Sequence, residues 1–241
     1  MTGNLHMVEL NLSCIALGAY ARERHLSAQE VAADPGYLVH AWLAEALGND
    51  GPKVFRIVNH QPNVRVLGYC TASPEQMLET LDLNASPSVA QALVDGAIAG
   101  KKMPHVWVEG TRLAFEVLAT PIVRSGNRSV DAFLSACNHS ANVGKRVDRQ
   151  QVYADWLSRK LEGAALVDRV EQAEFALTTH VRKKGHVGDK ARDKYMMCLP
   201  RVLYRGELTV KSAAAFGSLL GKGVGRETPF GYGMMLLRKA A

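Results

Sequence analysis

Moving a proton near neutral pH is a task suited to imidazole, and this chain carries eight histidines. Spacing sorts them. His60, His105, His139, His180 and His186 form no HxxxH or HExxH pattern, so no ligand role follows for them and no metal site is expected. His40 differs in its surroundings. Tyr37 stands three positions before it in a run, YLVHAWLAEAL, whose spacing reads as a helix ending at Leu47. Residues three apart share a helix face, so the phenol and the imidazole can address one group. The plain alternative for His40 is a satisfied helix-surface residue.

A second distinctive feature is the glycine run formed by Gly221, Gly223, Gly225, Gly231 and Gly233. Glycine permits positive φ and lets backbone come close to a partner. The run follows a helix candidate and leads into a strand, the reverse of the strand-to-helix order of dinucleotide and P-loop turns, so those readings fail. With Lys222 and Arg226 inside it, the run suits a phosphodiester chain or close packing beside one; its other reading is a tight structural turn. The third feature is a polar segment holding Arg182, Lys183, Lys184, Lys190, Arg192 and Lys194 against two aspartates. As a hairpin tip it could track the phosphates of an RNA stem. A solvated loop is the alternative.

These residues need elements to hold them. Val8 to Leu17 reads as a first strand, followed by a polar stretch. Asp34-Pro35 supplies an N-cap and a first-turn proline for the helix that carries Tyr37 and His40. Strand-like runs follow at Val54 to Val58 and Val64 to Cys70, then a helix from Ser73-Pro74 through Leu81 and a strand over Leu113 to Val123, giving the order βαββαβ. After residue 145 the order recurs. A helix is expected over Asp148 to Leu161, strands over Ala173 to Val181 and Cys198 to Val210, a helix over Lys211 to Leu220, and a last strand over Met234 to Arg238. The fold class is α+β, with halves at 1–140 and 146–241.

Composition narrows the classes of partner. The 241 residues are 47% hydrophobic, enough for a core, and Cys14, Cys70, Cys137 and Cys198 show no CxxC spacing, which leaves free thiols rather than disulfides or a zinc ribbon. No stretch approaches the ~20 apolar residues of a membrane span, and no secretory signal pattern opens the chain, so a cytoplasmic protein with no membrane partner is expected. The net charge of +6 is unevenly spread, near −3 over residues 1 to 140 and +9 over the rest. The second half is the expected polyanion face.

Together these stretches resemble one family. Leu203-Tyr-Arg-Gly-Glu-Leu-Thr-Val210, the glycine run, and Gly231-Tyr-Gly-Met-Met-Leu-Leu237 are similar to the C-terminus of the repeat-associated RNA-processing proteins of CRISPR systems, and more narrowly of the CasE-type endoribonuclease. Asp34-Pro-Gly-Tyr-Leu-Val-His40, Ala119-Thr-Pro-Ile-Val-Arg124 and Trp156-Leu-Ser-Arg-Lys-Leu161 agree in the same order, whereas residues 125 to 145 fit poorly. The resemblance implies two ferredoxin-like halves in tandem, a CRISPR repeat RNA hairpin as substrate, other subunits of a guide-RNA surveillance complex as partners, and no cofactor. It also implies cleavage at the hairpin base leaving a cyclic phosphate, with His40 catalytic and Tyr37 supporting it. Attack of a 2′-hydroxyl on its neighbouring phosphate needs one proton removed and another delivered, which imidazole can do without a metal.

The chain departs from the family in one respect. Glu45 stands five positions beyond His40, where members often carry a basic or protonatable residue. Arg22 and Arg24 before the helix, or Arg159 and Lys160 in the second half, are the candidate substitutes, and the residues do not choose among them. Two other classes stay open: a non-catalytic RNA-binding subunit of the same ribonucleoprotein, and a nucleotide-binding metabolic enzyme using the glycine run.

Overall fold

Alternation in His6–Ser13 (β1) turns Val8, Leu10 and Leu12 to one side, where all three are completely buried. The computed structural model describes residues 5–126, 128–139, 144, 146–183 and 194–240. The first strand ends sooner than the sequence suggests because the Ser13 hydroxyl accepts the Ala16 N–H at 3.3 Å and starts helix α1, Cys14–Glu23. A short helix α2, Ala28–Ala33, opens with a capping box between Ser27 and Glu30. The expected polar stretch is therefore largely helical.

Helix α3, Pro35–Leu47, begins where the Asp34-Pro35 pair predicts, with the Asp34 carboxylate accepting the Tyr37 N–H at 3.1 Å. Strands β2 (Val54–Asn59) and β3 (Asn63–Cys70) form the expected hairpin, and helix α4 (Pro74–Asn84) is capped by Ser73 and Gln76. After a single turn α5 (Pro87–Ala90), strand β4 (Leu93–Lys102) returns beside β1. The antiparallel sheet has the order β2-β3-β1-β4, the wiring of a ferredoxin-like half.

Here the sequence reading is corrected. The strand expected at Leu113 to Val123 does not close the first sheet; β4 does. Strand β5 (Arg112–Ala119) opens the second sheet, and β6 (Ile122–Ser125) with β7 (Arg128–Asp131) form a separate hairpin before helix α6, Ala132–Cys137. Helix α7 (Arg149–Leu161), the long hairpin of β8 (Ala165–Lys183) and β9 (Lys194–Val210), helix α8 (Ala213–Lys222) and strand β10 (Met235–Lys239) complete a second βαββαβ unit with the sheet order β10-β5-β9-β8. The sheets thus divide between Lys102 and Arg112, not near residue 140. Among the described residues no helix is long and apolar enough to cross a membrane, and all four cysteines are free thiols.

Two cores result. Trp42, Leu43 and Leu47 of α3 pack with Val8, Leu10 and Leu12 of β1 and with Met77 of α4. The second core, built on Trp156, Tyr204 and Phe216, also takes Val54, Leu67 and Tyr69 from the first sheet, and the Tyr69 hydroxyl donates to the Met235 carbonyl at 2.9 Å. Burial of apolar surface across the two sheets docks the halves.

A polar latch joins them as well. The β8–β9 hairpin runs past its own sheet to reach the start of α3, where one Asp34 oxygen accepts the Val181 N–H at 3.0 Å and an Arg182 N–H at 2.7 Å. Arg182 also donates to Glu227 through Nε at 2.9 Å, and its guanidinium lies 3.6 Å from the Phe230 ring centre. Fully buried His180 turns Nδ1 to the same guanidinium at 2.9 Å. An arginine only donates, so Nδ1 is the acceptor and the ring proton sits on Nε2. Burial, and then Arg182, push the His180 pKa down, which keeps that ring neutral. The expectation that Arg182 meets RNA is overturned: 8% exposed and engaged on every side, it holds the fold.

Removing one member of a buried ion group strands the others, a change that costs about 3–5 kcal/mol. Arg182→Met should lower stability by that amount in urea unfolding, while Arg159→Met on the exposed end of α7 stays within about 0.5 kcal/mol of the parent. An Arg182→Met midpoint equal to the parent's would show that the latch contributes nothing.

Candidate active site

Asp34 fixes the first turn of α3, and Gly36 lets that turn press on the second half: a Cβ at Gly36 would fall 2.1 Å from the Phe230 carbonyl oxygen. Phe230 ends the short turn Thr228–Phe230 inside the glycine run. Its ring stacks near parallel to Tyr37, with centroids 6.2 Å apart, and meets the His40 ring edge-on at 4.8 Å. The i, i+3 pair predicted from spacing is therefore brought together around one aromatic side chain supplied by the other half.

His40 is partly buried, and its environment sets its charge. Burial comes first, then the positive charges of Arg182 and Lys53, and together they hold the imidazole below its ordinary value of 6.5. At neutral pH the ring is uncharged and can accept a proton. Arg182 lies on Phe230 and is tied to Asp34 and Glu227, whereas Lys53 is exposed at the start of β2 and donates to the Gly48 carbonyl at 2.7 Å. Beside Phe230 a cavity of about 130 Å³ is bounded by Asp34, His60, Thr178, Arg201 and Tyr232. A larger groove of about 540 Å³ lies on the second sheet and shares no residue with this neighbourhood. Its Arg169 and Arg205 are already paired with Glu207 and Glu116.

The remaining expected residues are scattered. Arg24 is bound by Glu45, whose carboxylate also accepts the Tyr20 hydroxyl at 2.9 Å; the guanidinium holds the Glu45 carboxyl below the usual carboxylate range. Arg24 is thus paired with Glu45 at the surface, where such a pair is weak. Arg22 is exposed on α1, and Arg159 and Lys160 are exposed in the last turn of α7. Lys222 ends α8, and Arg226 donates to the Ser129 hydroxyl at 3.2 Å. Lys183 and Lys194 form the last pair of the hairpin ladder, while Lys184, Lys190 and Arg192 lie outside the described residues.

The glycine run serves packing more than ligand contact. Gly221 belongs to α8, and Gly223, Gly225, Gly231 and Gly233 all take positive φ. A Cβ at Gly225 would sit 2.8 Å from Trp156. The amides of Gly223, Val224 and Gly233 donate to Leu219, Gly233 and Leu118 carbonyls, so these three cannot cradle a phosphate. Sequence reasoning missed Phe230 and Lys53. Phe230 is marked by its place between Pro229 and Gly231; Lys53, whose charge acts on His40, carries no local signal.

Among the described residues no three His, Cys, Asp or Glu side chains gather as a metal site. The family described as CRISPR associated protein matches residues 12–239. Among solved structures, the CRISPR endoribonuclease Cse3 bound to 19-nt RNA superposes with a TM-score of 0.61, covering 98% of this chain and 100% of that one at 17% identity. The Escherichia coli K-12 protein Cas6e gives 0.52 over 98% and 100% at 19% identity. A chain of a CRISPR RNA-guided surveillance complex gives 0.60 over 98% and 100% at 14% identity. No curated protein sequence matches. At these identities the likenesses establish the shared fold of tandem ferredoxin-like halves.

Since burial is the largest influence on His40, exposing it should restore its basicity. Phe230→Ala opens the ring edge to water and weakens the field of Arg182, so the His40 pKa should move up towards 6.5, read by NMR titration of the imidazole proton. Any rate that depends on neutral His40 would then rise with pH along a limb displaced to higher pH. An unmoved titration would remove Phe230 from the site.

Proposed function

Because the chain belongs to the CRISPR-associated protein family, we propose that it is an endoribonuclease which cuts precursor guide RNA at a repeat hairpin, in the cytoplasm, and works with other subunits of a surveillance complex. The observation that carries this reading is His40: an imidazole kept neutral by burial, on a helix whose start is pinned by the Arg182 latch, with Tyr37 against the same Phe230 ring. Relatives in fold include a CRISPR endoribonuclease bound to RNA and a chain of an RNA-guided surveillance complex, which supports the substrate and the partners proposed here.

The proposed reaction is metal-independent transphosphorylation. The 2′-hydroxyl loses its proton to His40 as its oxygen bonds to phosphorus, the P–O5′ bond breaks, and the departing oxygen takes a proton back, leaving a 2′,3′-cyclic phosphate and a 5′-hydroxyl. Tyr37 positions the phosphate or the imidazole. The exposed cations Arg22, Arg159, Lys160, Lys222 and Arg226, with the hairpin residues Lys183, Lys184, Lys190, Arg192 and Lys194, are proposed to meet the stem's phosphates.

The test is incubation with the repeat hairpin in EDTA. A discrete product is expected, and none when the nucleotide before the scissile phosphate is 2′-deoxy. His40→Ala should slow cleavage by about 100-fold or more while binding the deoxy hairpin like the parent, and Tyr37→Phe should cost less. Binding without cutting by the parent protein would instead identify an architectural RNA-binding subunit. For the stem surface, Arg159→Gln with Lys160→Gln should reduce the slope of log affinity against log salt by roughly 2. An unchanged slope would take the end of α7 out of the interface.

A further inference from the structure

A cut at the base of a hairpin parts a paired nucleotide from an unpaired one. The paired base is held by its stem. The unpaired base has no partner, and proteins that read RNA take such bases against apolar side chains and hydrogen-bond their edges. A place for it exists beside His40. The cavity of about 130 Å³ is walled in part by Gly36 and Phe230, and both neighbour the imidazole. Gly36 lies four positions before His40 on α3, so the two share a helix face one turn, about 5.4 Å, apart. The Phe230 ring meets the His40 ring at 4.8 Å.

We propose, resting on the reading of His40 as the proton carrier, that this cavity is a base subsite: it takes the nucleobase of the unpaired nucleotide adjoining the scissile phosphate. Its chemistry suits a base rather than a phosphate. The Asp34 carboxylate stands in the wall, and the Arg201 guanidinium already reaches Glu174 at 3.3 Å, so little positive charge is left for an anion. A neutral ring meets no such objection. Ile57, Leu118 and Phe230 offer apolar surface for its flat faces, while Thr178, Tyr232 and Arg201 supply polar groups for its edge.

These edge groups are aimed together. Thr178 and Arg201 project from one face of the β8–β9 hairpin, since Arg201 opposes Ala176, two residues from Thr178. The Tyr232 ring packs 5.1 Å from that of His180, which fixes its place, and burial keeps its hydroxyl protonated by pushing the pKa up to about 12. Among the described residues no hydrogen bond engages the hydroxyl of Thr178 or of Tyr232. Each can therefore donate and accept, as the mixed edge of a base requires, whereas the guanidinium only donates. A benzene ring fills a cavity of about 150 Å³, so this one is scaled to one planar group and not to a folded segment of another protein.

The experiment is single-turnover cleavage, by the whole protein, of repeat hairpins that carry each base in turn, or no base, at the unpaired nucleotide adjoining the cut. The parent should cut the abasic hairpin on the order of 10-fold more slowly than the best of the intact ones, whereas an abasic nucleotide one step further out should cost less than about twofold. Thr178→Val with Tyr232→Phe removes both hydroxyls and keeps the side-chain shapes. Its rates on the intact hairpins should fall towards the parent's abasic rate and lie within about threefold of one another. Equal parent rates on abasic and intact hairpins overturn the inference, as does a double variant that keeps the parent's order and spread among bases. The abasic comparison needs only the parent, so it decides whether or not the double variant folds. Either negative result leaves the endoribonuclease reading standing, because the parent has then cut the intact hairpin; a parent that does not cut it sinks both.

Discussion

The Arg182 guanidinium is the point at which three distant segments must agree. It bonds Asp34, 148 positions earlier, and Glu227, 45 positions later, and it covers one side of Phe230. Desolvating an arginine is expensive, and the attraction of two carboxylates offsets that cost without turning it into a large surplus. Its value lies in registration. An arginine at this depth is tolerable only when both carboxylates arrive, so the helix start, the hairpin and the glycine turn are held in one relative placement. Asp34 shows the economy of the arrangement, with one oxygen capping α3 and the other accepting from Val181 and Arg182.

From that placement the chemistry of His40 follows. The helix alone would present Tyr37 and His40 on a solvated face, where an imidazole keeps its ordinary basicity. Docking brings Phe230 against both rings and the Arg182 charge behind it, and the imidazole becomes a neutral group at neutral pH. His40 belongs to one half, and residues of the other half help to set its charge. A substitution in the glycine turn can therefore alter the acid–base behaviour of a side chain nearly two hundred positions away in sequence, with no change in the helix itself.

What could be read from the sequence follows from where each signal was written. Helix α3 was legible because Asp34-Pro35 and a dense apolar run act locally, and the β2–β3 hairpin because both strands are mostly apolar. The fold class and the pair on α3 followed from these. Strand β4 was not legible: of LVDGAIAGKK only Leu93 and Ile98 are buried, since it is an edge strand facing solvent. Helices α1 and α2 hid behind capping serines and mixed polarity. Arg182 was misread because its neighbours in sequence are lysines; its partners lie in other elements, and sequence proximity to basic residues says nothing about them.

The same distinction limits what net charge conveys. The second sheet is rich in arginine, yet Arg112 and Arg169 share Glu207, Arg205 meets Glu116, which Arg56 of the first sheet also reaches, and Arg201 meets Glu174. The exposed pairs among these contribute little stability each, but they offset the field that a polyanion would feel at a distance. Much of the arginine charge on that sheet is thus met locally by carboxylates. Among the described residues, cations with no carboxylate partner stand at the end of α7, in Arg159 and Lys160, and at the end of α8, in Lys222, where they also complement the helix dipoles, and on β10, in Arg238 and Lys239. Lys53, whose ammonium donates to the Gly48 carbonyl at the C-cap of α3, belongs to that same pattern, a cation held where a helix ends.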